Sequence, residues 1–432
     1  MPKNKNITLR RNFSWTFIGN LIYSGCQWGM LVVLAKLGNP EMVGTFTLGL
    51  AVTAPVMMFS NLQLRDIQTT DAKNHYLFND YLGLRLITTG LALPIILWIT
   101  LATGYKGETA IVIILIGFAK GLESISDVFY GLLQKHEKMD RMAISVMMKG
   151  PLSLLMLSIG TYISGSIIWG VLGLVIAWAC ILLIWDIPSY RWLINKFTSE
   201  GEIPDSLEGR TAKPRWQLGT IRKLIWLSLP LGLVMMLISL NANIPRYFLE
   251  QSLGKKELGV FAALAYLIVA GNMVVSALGS AARPRLAKYY AGGNVSAYQK
   301  LLFQLVAIAC LLGLSGILVA WVAGGQILTI VYQPEYAKYT ELLIWLMVTA
   351  GIGYVSSFLG EGMTAARYFR TQIPLFIVVT STSAIASFWF IPKNGLKGAA
   401  IALMIAEIVR TIFTLGVIFH AVHRIQRYQT HR

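Results

Sequence analysis

The residues of this chain best placed to do chemistry are charges and amides set inside long apolar stretches. One stretch carries Lys120, Glu123 and Asp127. At about 100° per residue, spacings of three and seven keep these side chains within about 60° of one another on a helix. Ile113, Ile114, Leu115 and Phe118 then fall on the opposite side. A later stretch holds Glu407 and Arg410, three apart and able to pair on one helix. Arg246 follows Asn241, Asn243 and Pro245, and an early stretch contains Asn20, Tyr23 and Gln27. Arg65 and the group Arg283-Pro284-Arg285 close two further apolar stretches.

A charge at mid-bilayer costs roughly 2.5–3.5 kcal/mol on insertion scales, so such groups face a partner or a water-filled cavity. Two readings of Lys120, Glu123 and Asp127 stay open. In one, Lys120 neutralises an acid in a buried structural network. In the other, Lys120 binds sugar or phosphate, as Arg246 and Arg410 would, and Glu123, Asp127 and Glu407 couple transport to an ion. Arg65 and Arg283 suit a pyrophosphate, because guanidinium pairs bidentately with phosphate oxygens. Positive charge on cytoplasmic loops would also put them there. Gln27 and Asn243, 216 residues apart, present amides at corresponding depth, for interhelical hydrogen bonds or for substrate.

The elements that must position these groups are transmembrane helices. The 432-residue chain is 55% hydrophobic and only 13% charged, about half the charge of an ordinary soluble chain. Its apolar blocks reach the roughly 20 residues that cross hydrocarbon as helix. Twelve spans are expected near 13–37, 42–62, 81–104, 109–133, 142–163, 166–190, 223–249, 257–281, 299–323, 340–363, 372–391 and 396–420, with a short interfacial piece at Ile327 to Tyr332. Lys3, Lys5, Arg10 and Arg11 precede the first span, which is too long for a signal-peptide core and is retained. Gly25 and Gly29 form a GxxxG on it that could pack against a neighbour. Pro55, Pro94, Pro151 and Pro230 fall within spans and permit kinks.

The formal charge of +17 could point to nucleic acid. Placing the bases on the chain removes that reading. Of 37 lysines and arginines, twenty-six lie in segments assigned to the cytoplasm, four of them in 134–149, and seven lie in the opposite loops. This asymmetry implies that both termini are cytoplasmic. Cys26, Cys180 and Cys310 share no close spacing, so neither disulfides nor metal ligands are expected, and no cofactor motif is present.

The stretch 191–222 divides the chain into an N-lobe, 1–190, and a C-lobe, 223–432, of six spans each. Leu37-Gly38 through Phe46 resembles Leu253-Gly254 through Phe261, Phe129-Tyr130-Gly131 matches Phe358-Leu359-Gly360, and Gly170-x-x-Gly173 matches Gly395-x-x-Gly398. An even number of spans per repeat makes the lobes parallel, as in carriers that rock two bundles about a central site. The expected fold is therefore an all-α polytopic membrane protein with two parallel six-helix lobes.

Leu34-Ala35-Lys36-Leu37-Gly38 with Glu41, Gly44 and Phe46, then Leu62-Gln63-Leu64-Arg65-Asp66 and Asp71, resemble the polysaccharide-transporter branch of bacterial lipid-linked oligosaccharide flippases. Ile330-Val331-Tyr332-Gln333-Pro334-Glu335-Tyr336-Ala337 is similar to the same family. Its superfamily includes multidrug and toxin extruders. The resemblance implies export of an undecaprenyl-diphosphate-linked repeat unit for O-antigen, capsule or exopolysaccharide across the plasma membrane. It also implies alternating access, driven by an ion gradient or the membrane potential, and polysaccharide assembly enzymes as neighbours. A cation-coupled drug exporter of the same fold is the closest alternative. A polysaccharide polymerase or glycosyltransferase is disfavoured by short outer loops and by the lack of Asp-x-Asp, HExxH or a Walker-type loop, so the chain is not expected to be an enzyme.

Overall fold

The computed structural model describes residues 9–71, 73–200 and 212–430. Lys3, Lys5 and the middle of the expected linker, with Pro204, lie outside the described residues, as do the side chains of Arg10 and Arg11. All regular elements among the described residues are helical. They are α1 (Leu9–Leu37), α2 (Pro40–Asn61), α3 (Leu64–Thr70), α4 (Phe78–Ala102), α5 (Gly107–Lys135), α6 (Met139–Ser164) and α7 (Ile167–Ile181). A π-helical turn (Leu182–Asp186) joins α7 to α8 (Ile187–Glu200), and α9 (Leu218–Leu253), α10 (Lys255–Tyr266) and α11 (Val269–Ala291) follow. The last elements are α12 (Val295–Val331), α13 (Thr340–Ala365) and α14 (Gln372–Thr430).

Local sequence sets several ends. Asn39 caps α2 by accepting from the Met42 amide at 2.9 Å, ahead of Pro40, whose missing N–H is no loss there. Asn294 caps α12 in the same way, from Ala297 at 3.0 Å. Gly395 sits inside α14 at φ 58° and ψ −134°, a conformation that glycine tolerates and other residues do not. The chain folds back there, so closely that a methyl on Gly398 would strike the Phe390 carbonyl. Among the described residues ten helices are long and apolar enough to cross a membrane, or eleven if the bent pair α10–α11 is one span. The expected count of twelve depends on splitting α14 at Gly395.

Two details differ from expectation. The piece Ile327 to Tyr332 is not a separate interfacial segment, because α12 runs on to Val331. The bend of 42° between α10 and α11 falls at Leu267 and Ile268, where no proline lies.

Large apolar side chains point outward along the helices. Leu91, Ile95, Trp98 and Leu101 form such a stripe on α4, with Trp98 69% exposed. Leu311, Leu314, Leu318 and Trp321 form another on α12. Water would penalise these surfaces, and hydrocarbon does not. Small residues line the packed faces instead. A methyl on Gly313 of α12 would come within 2.8 Å of the Gly351 Cα on α13, so only glycine allows the two backbones that close. The α1 motif acts through one glycine: Gly29 packs on Leu154 of α6, while Gly25 faces open space.

The chain divides into two compact units, Met1–Met236 and Leu237–Arg432. The division falls inside α9 rather than within 191–222. The reason is visible in the first unit's core, where Ile221 and Leu224 of α9 join Leu64, Tyr81, Val128, Tyr190 and Leu193. Arg215 also donates its amide to the Asn79 carbonyl at 3.0 Å. In the second unit, Val275, Leu286, Tyr298, Leu305, Tyr354 and Phe358 pack α11, α12 and α13 together.

Candidate functional site

Helix α5 carries the charged face anticipated from spacing, but its three charges divide between two clusters. Lys120 Nζ lies 2.8 Å from Glu123 Oε2, and the Tyr23 hydroxyl on α1 donates to Glu123 Oε1 at 2.7 Å. Asp127, one turn further on, takes Arg65 of α3 at 3.4 Å and Arg85 of α4 at 3.2 Å. Arg85 is fully buried. Its Nη1 donates to the Asn61 carbonyl at 3.1 Å and to Asn61 Oδ1 at 2.5 Å, where the end of α2 turns toward it. The Asn61 side chain also accepts from the Ser124 hydroxyl. Arg65 donates from Nε to Gln134 Oε1 at 3.0 Å and lies over the Tyr130 ring.

A further buried pair went unread in the sequence. Lys149 of α6 and Asp186 of the π-helical turn are 2% and 0% exposed and stand 3.9 Å apart. Asp186 Oδ1 accepts from the Ser145 hydroxyl at 2.5 Å, and the Tyr130 and Ser145 hydroxyls are 2.8 Å apart. Two ammonium groups flank the buried Trp178 ring, Lys120 at 5.0 Å and Lys149 at 5.8 Å from its centroid. The Trp178 indole donates to Ser153 at 2.6 Å. Counting Lys149 with a basic loop misplaced it, because it lies on the third turn of α6. The polar interior of this unit thus gathers Arg65, Arg85, Lys120 and Lys149 against Glu123, Asp127 and Asp186, an excess of one positive charge. Gln27 is half-buried on α1 and, among the described residues, forms no side-chain hydrogen bond.

In the second unit Arg246 Nη1 donates to Asn243 Oδ1 at 3.1 Å, and Asn243 Nδ2 donates to the Ser239 carbonyl at 2.8 Å. Among the described residues no carboxylate pairs with Arg246, and its Nε is buried without a partner. Asn243 and Gln27 are therefore unlike in bonding despite their corresponding positions. Glu407 and Arg410 pair on one helix as the spacing suggested, at 3.3 Å, with the Ser356 hydroxyl donating to Glu407 at 2.6 Å. Arg283 forms a two-pronged pair with Glu361, at 2.5 and 2.8 Å. Glu361 lies near the end of α13, and nothing in the local sequence ties it to Arg283. Arg410 and Glu361 both border a cavity of about 400 Å³.

The family described as "Polysaccharide biosynthesis protein" matches residues 9–290. The chain is similar to the capsular polysaccharide biosynthesis protein CapF of Staphylococcus aureus, 28% identical over 404 residues, covering 93% of this chain and 97% of CapF. Its fold is that of a multidrug resistance MATE family transporter of the MOP superfamily. The inward-facing conformation gives a TM-score of 0.65 at 16% identity, covering 97% of this chain and 96% of that one. The outward-facing conformation gives 0.63 at 15% identity, covering 96% and 94%.

Proposed function

Because the chain belongs to the polysaccharide biosynthesis protein family, we propose that it is a flippase that moves a lipid-linked oligosaccharide repeat unit across a bacterial plasma membrane. The cargo in this reading is an undecaprenyl-diphosphate-linked glycan, carried from the cytoplasmic to the outer leaflet by alternating access. Both termini are cytoplasmic, and the chain performs transport rather than bond chemistry. The observation that carries the reading is the excess of cations among charged groups inside the spans, with Arg246 facing no carboxylate among the described residues. A drug exporter that takes organic cations needs the opposite balance.

A diphosphate entering the first unit competes with Glu123 for Lys120 and with Asp127 for Arg65. Both pairs are part-exposed and within reach of solvent. Exchange of one anionic partner for another keeps each cation compensated throughout, which lowers the electrostatic barrier to crossing. Released Glu123 and Asp127, with Glu407 in the second unit, are the groups suited to take up a coupling proton or cation.

The test is translocation of a lipid-linked oligosaccharide in reconstituted vesicles, with and without a pH gradient. Lys120→Ala is expected to insert normally and to lower the rate. Efflux of a cationic dye with no lipid-linked oligosaccharide movement would replace this reading with the drug exporter.

A further inference from the structure

The second unit holds a cavity of about 400 Å³. Asn272 and Ser276, one turn apart on α11, line it together with Ser357 of α13. Among the described residues the side chains of Asn272, Ser276 and Ser357 take part in no hydrogen bond, so their donors and acceptors are open to whatever fills the space. Gln372 of α14 adds an amide that is engaged only weakly, with Thr364 at 3.4 Å.

The charges at the wall are already spent on one another. Arg410 is paired with Glu407 at 3.3 Å, and Arg283 holds Glu361 through two bonds. A diphosphate would have to displace Glu407 or the doubly bonded Glu361, both less exposed than Glu123 and Asp127, and an organic cation would have to displace an arginine. What remains is a set of uncharged amides and hydroxyls beside an apolar wall of Phe376, Leu375 and Met363. The volume lies within the range of about 300–1,000 Å³ usual for small-molecule sites.

We propose that this cavity binds an uncharged sugar residue of the cargo, its hydroxyls meeting Asn272, Ser276 and Ser357 and its C–H face meeting Phe376 and Met363. The assignment rests on the flippase reading, and it places recognition of the glycan in the second unit. Substrate choice among neutral sugars then depends on these side chains, not on the arginines.

The full chain in lipid nanodiscs is titrated with free glucose, N-acetylglucosamine, glucuronate and inorganic pyrophosphate, followed by saturation-transfer NMR. Neutral sugars are expected to bind, and pyrophosphate, which has no carbon-bound proton and is added as a competitor, is expected to leave their saturation-transfer signal unchanged. The double variant Asn272→Ala/Ser357→Ala should weaken neutral-sugar binding at least about tenfold, since each lost hydrogen bond is worth about fivefold. Ser276→Phe, which fills the space, should abolish it, and thermal midpoints confirm that both variants are folded. No neutral-sugar binding to folded wild-type protein overturns the proposal. So does a preference for glucuronate, or a double variant that binds like wild type. Translocation is measured on the same preparations. Sugar binding without translocation sinks the flippase reading and leaves the cavity's assignment standing; translocation without sugar binding does the reverse.

Discussion

Asp127→Ala removes the one carboxylate paired with Arg85 among the described residues. The Arg85 side chain has no exposed surface, so water cannot take the place of the acid. At 3.2 Å the pair's attraction is about 5 kcal/mol for an effective dielectric of about 20. The guanidinium's desolvation cost stays when the acid is removed, which is why breaking a buried pair costs about 3–5 kcal/mol. Two features place Asp127→Ala at the lower end. Asp127 is itself 28% exposed. Arg85 also keeps both Asn61 acceptors. The expected loss is therefore about 3 kcal/mol.

Arg85→Met should cost less, because Asp127 then retains Arg65 and its contact with solvent. Replacing both partners, Arg85→Met with Asp127→Leu, should bring stability back toward wild type, as apolar replacement of buried ion pairs does elsewhere. Thermal midpoints of the detergent-solubilised protein give the order of the four forms, which suffices because a chain of two units need not unfold in one step. The reasoning is refuted if Asp127→Ala melts with wild type, or if the double variant is no better than the worse single. Loss of translocation in a double variant of normal stability would show that the pair serves transport as well as structure.

Three further outcomes are expected. His136, between α5 and α6, packs against Phe197, and burial together with Lys135 and Lys138 pushes its imidazole down to about 4. An unfolded histidine titrates near 6.5. The unfolded state therefore binds the proton first, and stability should fall as pH drops from about 6.5 toward 4; His136→Gln should flatten that slope in midpoint-against-pH curves. Gly395→Ala forces an L side chain into φ 58° and should cost about 1–3 kcal/mol, lowering the thermal midpoint, whereas Gly219→Ala, with open space around it, should not. Arg246→Met should leave the midpoint unchanged or raise it while slowing translocation, and a variant that loses both in step would assign Arg246 to packing.

Pairs three apart on one helix were legible in the sequence, because helical geometry alone brings Lys120 to Glu123 and Arg410 to Glu407. The reversal at Gly395 was legible too, from Pro392, Lys393, Asn394 and Gly395 between two apolar runs. Partners on different helices were not. Nothing local ties Asp127 to Arg85 or Arg283 to Glu361; tertiary packing chooses among several acids of similar depth. Asp186 was hidden for a further reason. The π-helical turn at Leu182–Asp186 changes the helical register, so counting 100° per residue through it gives the wrong face. The Gly170 and Gly395 match in the repeat also pairs unlike roles, since Gly170 packs within α7 while Gly395 makes the turn. The residue of the first unit with Gly395's role is Gly165, at φ 66°.

The contrast between Arg85 and Arg246 separates a charge that holds the fold from one that serves transport. Arg85 and Asp127 satisfy one another, and removing the acid leaves Arg85 a buried orphan, so stability falls. Arg246 is partly buried, with one amide as partner and a buried Nε left without one. An unsatisfied cation of this kind destabilises the resting protein. Its removal should relieve that penalty, and only a substrate that supplies the missing acceptor makes its presence useful. Stability and rate therefore move in opposite directions at Arg246 and together at Asp127. Measuring both on the same preparations decides which arginines are ligands, whichever glycan is carried.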